Sequence, residues 1–126
     1  VEDKLPPLAD WGPARQTYAG LIEIDPEWVA EHLDDVLLLD VRQHEEMDER
    51  LGRIETARIL PLNELKRQLH SLSQERPLIA VCHAGMRSGQ ATVLLRQAGF
   101  TRVANMRGGM LAWQQLGLPV VHRGEP

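Results

Sequence analysis

Val36-Leu37-Leu38-Leu39 runs without a polar break into Asp40, and this run restricts the fold more than any other stretch. A strand with one wet face alternates apolar and polar residues. A strand apolar on both faces is covered on both, as in parallel sheets packed between helices. Other short β-leaning runs are Leu21-Ile22-Glu23-Ile24, Ala57-Arg58-Ile59-Leu60, Pro77-Leu78-Ile79-Ala80-Val81 and Arg102-Val103-Ala104-Asn105-Met106. Helical signals fall between them. Asp25-Pro26-Glu27 supplies an N-cap, a proline at the first helical position and an acid in the first turn, so a helix is expected to about Leu33. Gln43 to Arg50 is polar and acidic, a short solvated helix with Met47 as its inward contact. Leu62, Leu65, Leu69 and Leu72 mark an amphipathic helix. Ala91, Leu94, Leu95 and Ala98 recur at helical period and mark another, stopped by Gly99, with Phe100 packing back toward Leu95. After Gly108-Gly109 a final short helix, Met110 to Leu116, holds Trp113. This alternation predicts an α/β fold with a parallel sheet and helices on both faces.

At 126 residues the chain has room for one core, expected over residues 21–122. Residues 1–20 read as an extended arm, with Pro6, Pro7, Gly12, Pro13 and Gly20 around the pinning candidates Trp11 and Tyr18. Residues 123–126 are expected to form a tail. The chain begins at Val1 and not Met, which is compatible with processing, trimming or excision from a longer protein. A net charge of −4 weighs against nucleic acid or an anionic membrane as main partner. No run approaches transmembrane length and no secretory signal is present, so a cytoplasmic location is expected. The single cysteine excludes an internal disulfide framework and a multi-thiolate zinc site. His32, His44, His70 and His122 lack ligand-like spacing, and neither a metal nor a cofactor is expected.

That cysteine lies in Val81-Cys82-His83-Ala84-Gly85-Met86-Arg87-Ser88, between the 77–81 strand and the helix that follows. Sites in parallel α/β sheets lie at the carboxyl ends of strands, where Cys82 falls. Amides at a helix start carry partial positive charge and stabilise an anion, and the thiolate is the nucleophilic form of cysteine. Gly85 permits backbone angles that let several amides converge, Arg87 puts a permanent charge at the rim, and Ser88 is a good N-cap. These neighbours favour a reactive thiol over a small buried hydrophobe. Asp40 and Arg42, ending the neighbouring strand, read as a structural ion pair bracing the loop. For Arg87, anion binding stands beside a structural salt bridge; for His83, substrate steering stands beside a solvent-facing side chain. Gly108-Gly109 is expected to let the backbone approach another element closely, since it lacks the lysine and hydroxyl residue of a phosphate loop.

Leu38-Leu39-Asp40-Val41-Arg42, Gly52-x-Ile54-x-x-Ala57-x-Ile59-x-Pro61-Leu62, Cys82-x-x-Gly85-x-Arg87-Ser88 and Gly108-Gly109-x-x-x-Trp113 together resemble the single-domain rhodanese family, in its order, over roughly residues 20–121. The resemblance implies a five-stranded parallel sheet flanked by helices and sulfurtransferase activity through a persulfide on Cys82. On this reading residues His83, Ala84, Gly85, Met86, Arg87 and Ser88 form the substrate-binding bowl. The partners implied are a small sulfane-sulfur donor (thiosulfate or a persulfide) and a thiol, cyanide or sulfur-carrier-protein acceptor. Two departures stand out. Glu55-Thr56 replaces a proline–glycine turn, and His83 takes a place often held by Arg or Lys, so that the permanent cation there is replaced by an imidazole.

Two other classes compete. A cysteine phosphatase or arsenate reductase also sets cysteine and arginine on one anion loop, but holds five residues between them where this chain has the four His83, Ala84, Gly85 and Met86. The shorter loop suits one sulfur atom better than a tetrahedral phosphate. A non-catalytic docking or persulfide-sensing module is the other, and the complete loop with its cysteine weighs against it.

Overall fold

The computed structural model describes residues 13–17, 20–48 and 50–122. The expected arm residues Trp11 and Tyr18 and the tail 123–126 lie outside them. The strands are β1 (Arg15–Gln16), β2 (Ile22–Ile24), β3 (Leu37–Asp40), β4 (Arg58–Ile59), β5 (Leu78–Val81) and β6 (Val103–Met106). The helices are α1 (Pro26–Glu31), α2 (Leu62–Leu65), α3 (Met86–Gln97) and α4 (Gly109–Gln115). The sheet runs in the order β1-β2-β6-β5-β3-β4. The five strands from β2 to β4 pair in parallel, as expected. The expected five-stranded sheet gains a sixth strand at one edge: Arg15–Gln16 of the arm pairs antiparallel with β2, Arg15 opposite Glu23.

Strand parity divides the core. Leu38, Ile79, Val81, Ala104 and Met106 face α1 and α4, packing with Val29, Met110 and Trp113. Leu39, Leu78, Ala80, Cys82 and Val103 face α2 and α3, packing with Leu65, Ala91 and Leu95. Both faces of β3 and β5 are therefore dry, which explains their uninterrupted apolar runs. Register places Asp40 beside Val81 and Asn105 beside both Ala80 and Glu23, so the site residues collect at one end of the sheet.

Helix limits depart from the sequence pattern in three places. α1 stops at Glu31, because His32 leaves helical angles, bonds the Trp28 carbonyl at 2.7 Å and stacks on the Trp28 ring. The chain then makes a 3-10 turn at Leu33–Asp35. The leucine stripe from Leu62 begins as α2 but tightens to a 3-10 helix over Lys66–Ser71. α3 starts earlier than the period of its apolar residues indicates. Its N-cap is Gly85, at φ 113°, and Ser88 lies inside the helix. Ser88 is thus not the cap, and its hydroxyl is free to serve the site. The polar 43–50 stretch contains a 3-10 helix, His44–Asp48, with Met47 buried as expected. Glu55 and Thr56 form a tight turn closed by the Ala57 amide on the Ile54 carbonyl, so their departure from the family's proline–glycine stays within one loop. Among the described residues, no helix is long and apolar enough to cross a membrane.

Candidate active site

Cys82 follows the last residue of β5 and is 1% exposed. The turn into α3 folds back so that the Gly85 amide donates to Sγ at 3.0 Å. Only a residue at ease with positive φ can make that turn, which is the work of Gly85. The Ser88 hydroxyl lies 3.3 Å from the same sulfur. Burial pushes the thiol up, but the Ser88 hydroxyl and the amides of Ser88, Gly85 and Ala84 outweigh it, so Cys82 titrates below its ordinary value. Of these donors the Ser88 amide belongs to the first turn of helix α3, which is twelve residues long.

Gly109 explains the paired glycines. A Cβ there would sit 2.5 Å from the Cys82 carbonyl oxygen and 2.7 Å from that of His83. The close approach lets the Met110 amide bond the Cys82 carbonyl at 2.8 Å and the Leu111 amide bond the His83 carbonyl at 3.0 Å. The first turn of α4 thereby clamps the backbone of the nucleophile from below.

On the β3 side the site is built of ion pairs. Asp40 and Arg42 are each 1% exposed and meet through two side-chain bonds, at 2.9 and 2.7 Å. Arg42 also bonds the Gly52 carbonyl at 2.8 Å and reaches Met47 Sδ at 3.5 Å. The pair thus braces the 42–52 segment, including the turn that carries Glu46. Glu46 takes both terminal nitrogens of Arg87, at 2.6 and 2.8 Å. The Arg87 bonds hold its carboxyl down to about 2, from an ordinary 4.5. Glu46 in turn raises the Arg87 guanidinium above its usual value. Of the two readings of Arg87, the geometry has the salt bridge, while its charge is still felt at Cys82.

The bowl's rim is less charged than its sequence suggests. His83 and Ala84 are exposed, and Met86 is 80% exposed. Beside them an open cleft of about 450 Å³ runs along α3, lined by Leu21, Ala84, Met86, Gly89 and Val93 among others. Among the described residues, no group of three or more His, Cys, Asp or Glu side chains is placed to hold a metal ion.

Three contributors are not apparent in the sequence. Glu46 was one acid among several in a polar stretch, and nothing local marks its partner 41 residues away. Asn105 did carry a signal. It shares strand parity with Val103 in an otherwise apolar strand, and a buried polar residue must have partners. Those partners are Ser88, Gly85 and Glu23, the third contributor.

A family model described as Rhodanese-like domain matches residues 25–116. The chain is similar to a sulfurtransferase of Allochromatium vinosum, 38% identical over 102 residues, covering 79% of this chain and 94% of that one. It is also similar to YqhL of Bacillus subtilis, 36% identical over 76 residues, covering 60% of this chain and 59% of that one. Among solved structures, a rhodanese-related protein from Thermoplasma volcanium superposes with a TM-score of 0.73 at 28% identity, covering 79% of this chain and 96% of that one.

Proposed function

The chain belongs to the rhodanese-like domain family and is a sulfurtransferase of that type, and on this premise we propose that residues 21–122 move a sulfane sulfur through a persulfide on Cys82. The observation that carries the reading is the Cys82 sulfur itself, buried at the start of α3, held by the Gly85 amide and the Ser88 hydroxyl, and shifted toward thiolate. The thiolate attacks the outer sulfur of the donor. The donor's S–S bond breaks, its electron pair leaves with the donor body, and a persulfide forms on Sγ. An acceptor thiolate or cyanide then attacks the terminal sulfur, and the Cys82 thiolate departs. One transfer is split into two displacements, each with the negative charge kept near fixed amides.

The rim supports one donor class over another. Both terminal nitrogens of Arg87 are engaged by Glu46, and His83, Ala84 and Met86 offer no permanent cation. This supports a persulfide carried on a thiol as the preferred donor, with the dianion thiosulfate a poorer one. The apolar cleft beside Met86 gives the body of a thiol donor or acceptor a surface to rest on. The same engagement of Arg87 weighs against the phosphatase reading, which requires that guanidinium for a tetrahedral anion. A reducing, cytoplasmic setting, where a free thiol persists, suits this chemistry.

Intact-protein mass spectrometry after incubation with glutathione persulfide, and separately with thiosulfate, tests this. The expected result is a gain of one sulfur atom, faster with the persulfide, absent in Cys82→Ser and reversed by cyanide or a thiol. A folded protein with an alkylatable thiol that gains no sulfur from either donor would overturn the reading.

A further inference from the structure

The Ser88 hydroxyl has one proton and two acceptors within reach. One is Cys82 Sγ at 3.3 Å, and the other is Asn105 Oδ1. Ser88 and Asn105 are at most 1% exposed, so bulk water does not satisfy whichever acceptor loses. The orientation of the Asn105 amide is fixed. Its nitrogen donates to the Gly85 carbonyl at 3.3 Å, and a carbonyl only accepts, so Oδ1 is kept on the Ser88 side. Glu23 Oε2 lies 3.3 Å from the same nitrogen, but the Gly85 carbonyl sets the orientation whatever the charge at Glu23. Among the described residues, the Ser88 hydroxyl is the group that donates to Oδ1.

From this arrangement we infer that Asn105 is a positioning residue whose fixed oxygen gives the Ser88 hydroxyl a second place to donate, so that the hydroxyl follows the charge on the Cys82 sulfur. On the thiolate the Ser88 proton points at Sγ, because an anion is the stronger acceptor. When Sγ is neutral, as a thiol or as the inner sulfur of a persulfide, it accepts only weakly, and the proton turns to Oδ1. The hydroxyl rotates about its C–O bond, and no covalent bond forms or breaks. Asn105 thereby stabilises the neutral sulfur more than the anionic one. It holds thiol ionisation back, and it lowers the cost of moving negative charge off Sγ onto a sulfur bound to it. Loss of Oδ1 leaves the hydroxyl proton to the sulfur alone, so the thiol of such a variant ionises more readily.

The inference rests on Cys82 as the sulfur-bearing nucleophile of the proposed function, but its test needs no sulfur donor. Thiol ionisation is read from the pH dependence of iodoacetamide alkylation in wild type, Asn105→Leu, Ser88→Ala and the double variant. Leucine matches asparagine in shape without its polar atoms, and the Gly85 carbonyl keeps the Gly89 amide at 3.0 Å. Alanine at position 88 removes only the hydroxyl, from a helix that alanine suits. The charged groups around the sulfur are the Asp40–Arg42 and Glu46–Arg87 pairs and exposed His83, with Glu23 behind Asn105. Each is the same in both Ser88 backgrounds, so its influence cancels in the comparison.

Asn105→Leu is expected to raise the thiolate-to-thiol ratio below the midpoint by roughly two- to tenfold, the span of one hydrogen bond. In the Ser88→Ala background the same substitution should change the ratio by less than about twofold, because no hydroxyl is left to redirect. A residue that merely supported the Gly85 turn would act in the opposite sense. Its loss would weaken the hold of the Gly85 amide on Sγ and lower the ratio, with or without Ser88. A fall, no change, or an equal rise in both backgrounds would overturn the inference. Where Asn105→Leu does not fold, the smaller Asn105→Ala is read in the same way. Coupling between Asn105 and Ser88 in a protein that transfers no sulfur would leave this inference standing while the proposed activity fell. Transfer without coupling would do the reverse.

Discussion

Strands β3 and β6 both border β5, yet they supply its terminal cysteine with different things. The β3 side is made of full charges, Asp40 with Arg42 and Glu46 with Arg87, each matched to its opposite. The β6 side brings neutral dipoles, with Asn105 behind the Ser88 hydroxyl and the Gly85 turn. The groups that bond the sulfur directly are uncharged. Fixed dipoles aimed at the sulfur lower the energy of the thiolate without a full charge in contact with it. The paired charges hold the frame in which those dipoles are aimed.

This division can be broken from either side. The largest expected effect lies in the frame. Arg42→Met strands Asp40 in the interior and should cost about 3–5 kcal/mol of stability, measured by urea unfolding. In the fraction that folds, the thiol should still titrate low. A folded Arg42→Met protein whose thiol had returned to ordinary behaviour would show that the charges act on the sulfur after all.

Next comes the dipole side. Gly85→Ala forces a side chain into the left-handed region and turns its amide off Sγ. Transfer should slow by about 10²-fold, as when one donor is removed from an oxyanion hole, and the thiol should titrate higher. Unchanged transfer would mean that the other donors carry the site without Gly85.

The smallest effect belongs to the rim. Glu46 is lowered from 4.5 to about 2, so its pairing stabilises the fold fully above 4.5, and that contribution is lost as pH falls through 2. Glu46→Gln should cost about 1 kcal/mol at neutral pH, since the pair is partly open to water, and should flatten the loss of stability between those limits. A variant with the same acid limb as wild type would assign that limb to other carboxylates. The released Arg87 should also improve thiosulfate as a donor relative to a persulfide.

What could be read in the chain beforehand was what depends on local pattern. The apolar run ending at Asp40 gave away a strand covered on both faces. Ala91, Leu94, Leu95 and Ala98 gave away α3, and Gly108-Gly109 a close approach. Cys82 and its loop were identifiable because the motif is contiguous. The rest depended on contacts that sequence spacing does not encode. Ser88 has a capping residue's chemistry, but the turn at Gly85 starts the helix three residues earlier and leaves the hydroxyl for the sulfur. Arg87 was visible as a cation and not as a paired one, because Glu46 lies 41 residues away in the chain. Asn105 was visible as a strand residue, and only its buried parity could have shown that it needed partners.

The hold of Met110 and Leu111 on the carbonyls of Cys82 and His83 has a consequence for the order of events during synthesis. The nucleophile is made nearly thirty residues before the amides that seat it. On a ribosome the cysteine therefore emerges as an ordinary peptide thiol, and its loop is fastened only after the segment beyond Gly109 has followed it out. The carbonyl anchors are thus the last part of the site to be supplied, after the sheet strands and the Gly85 and Ser88 donors.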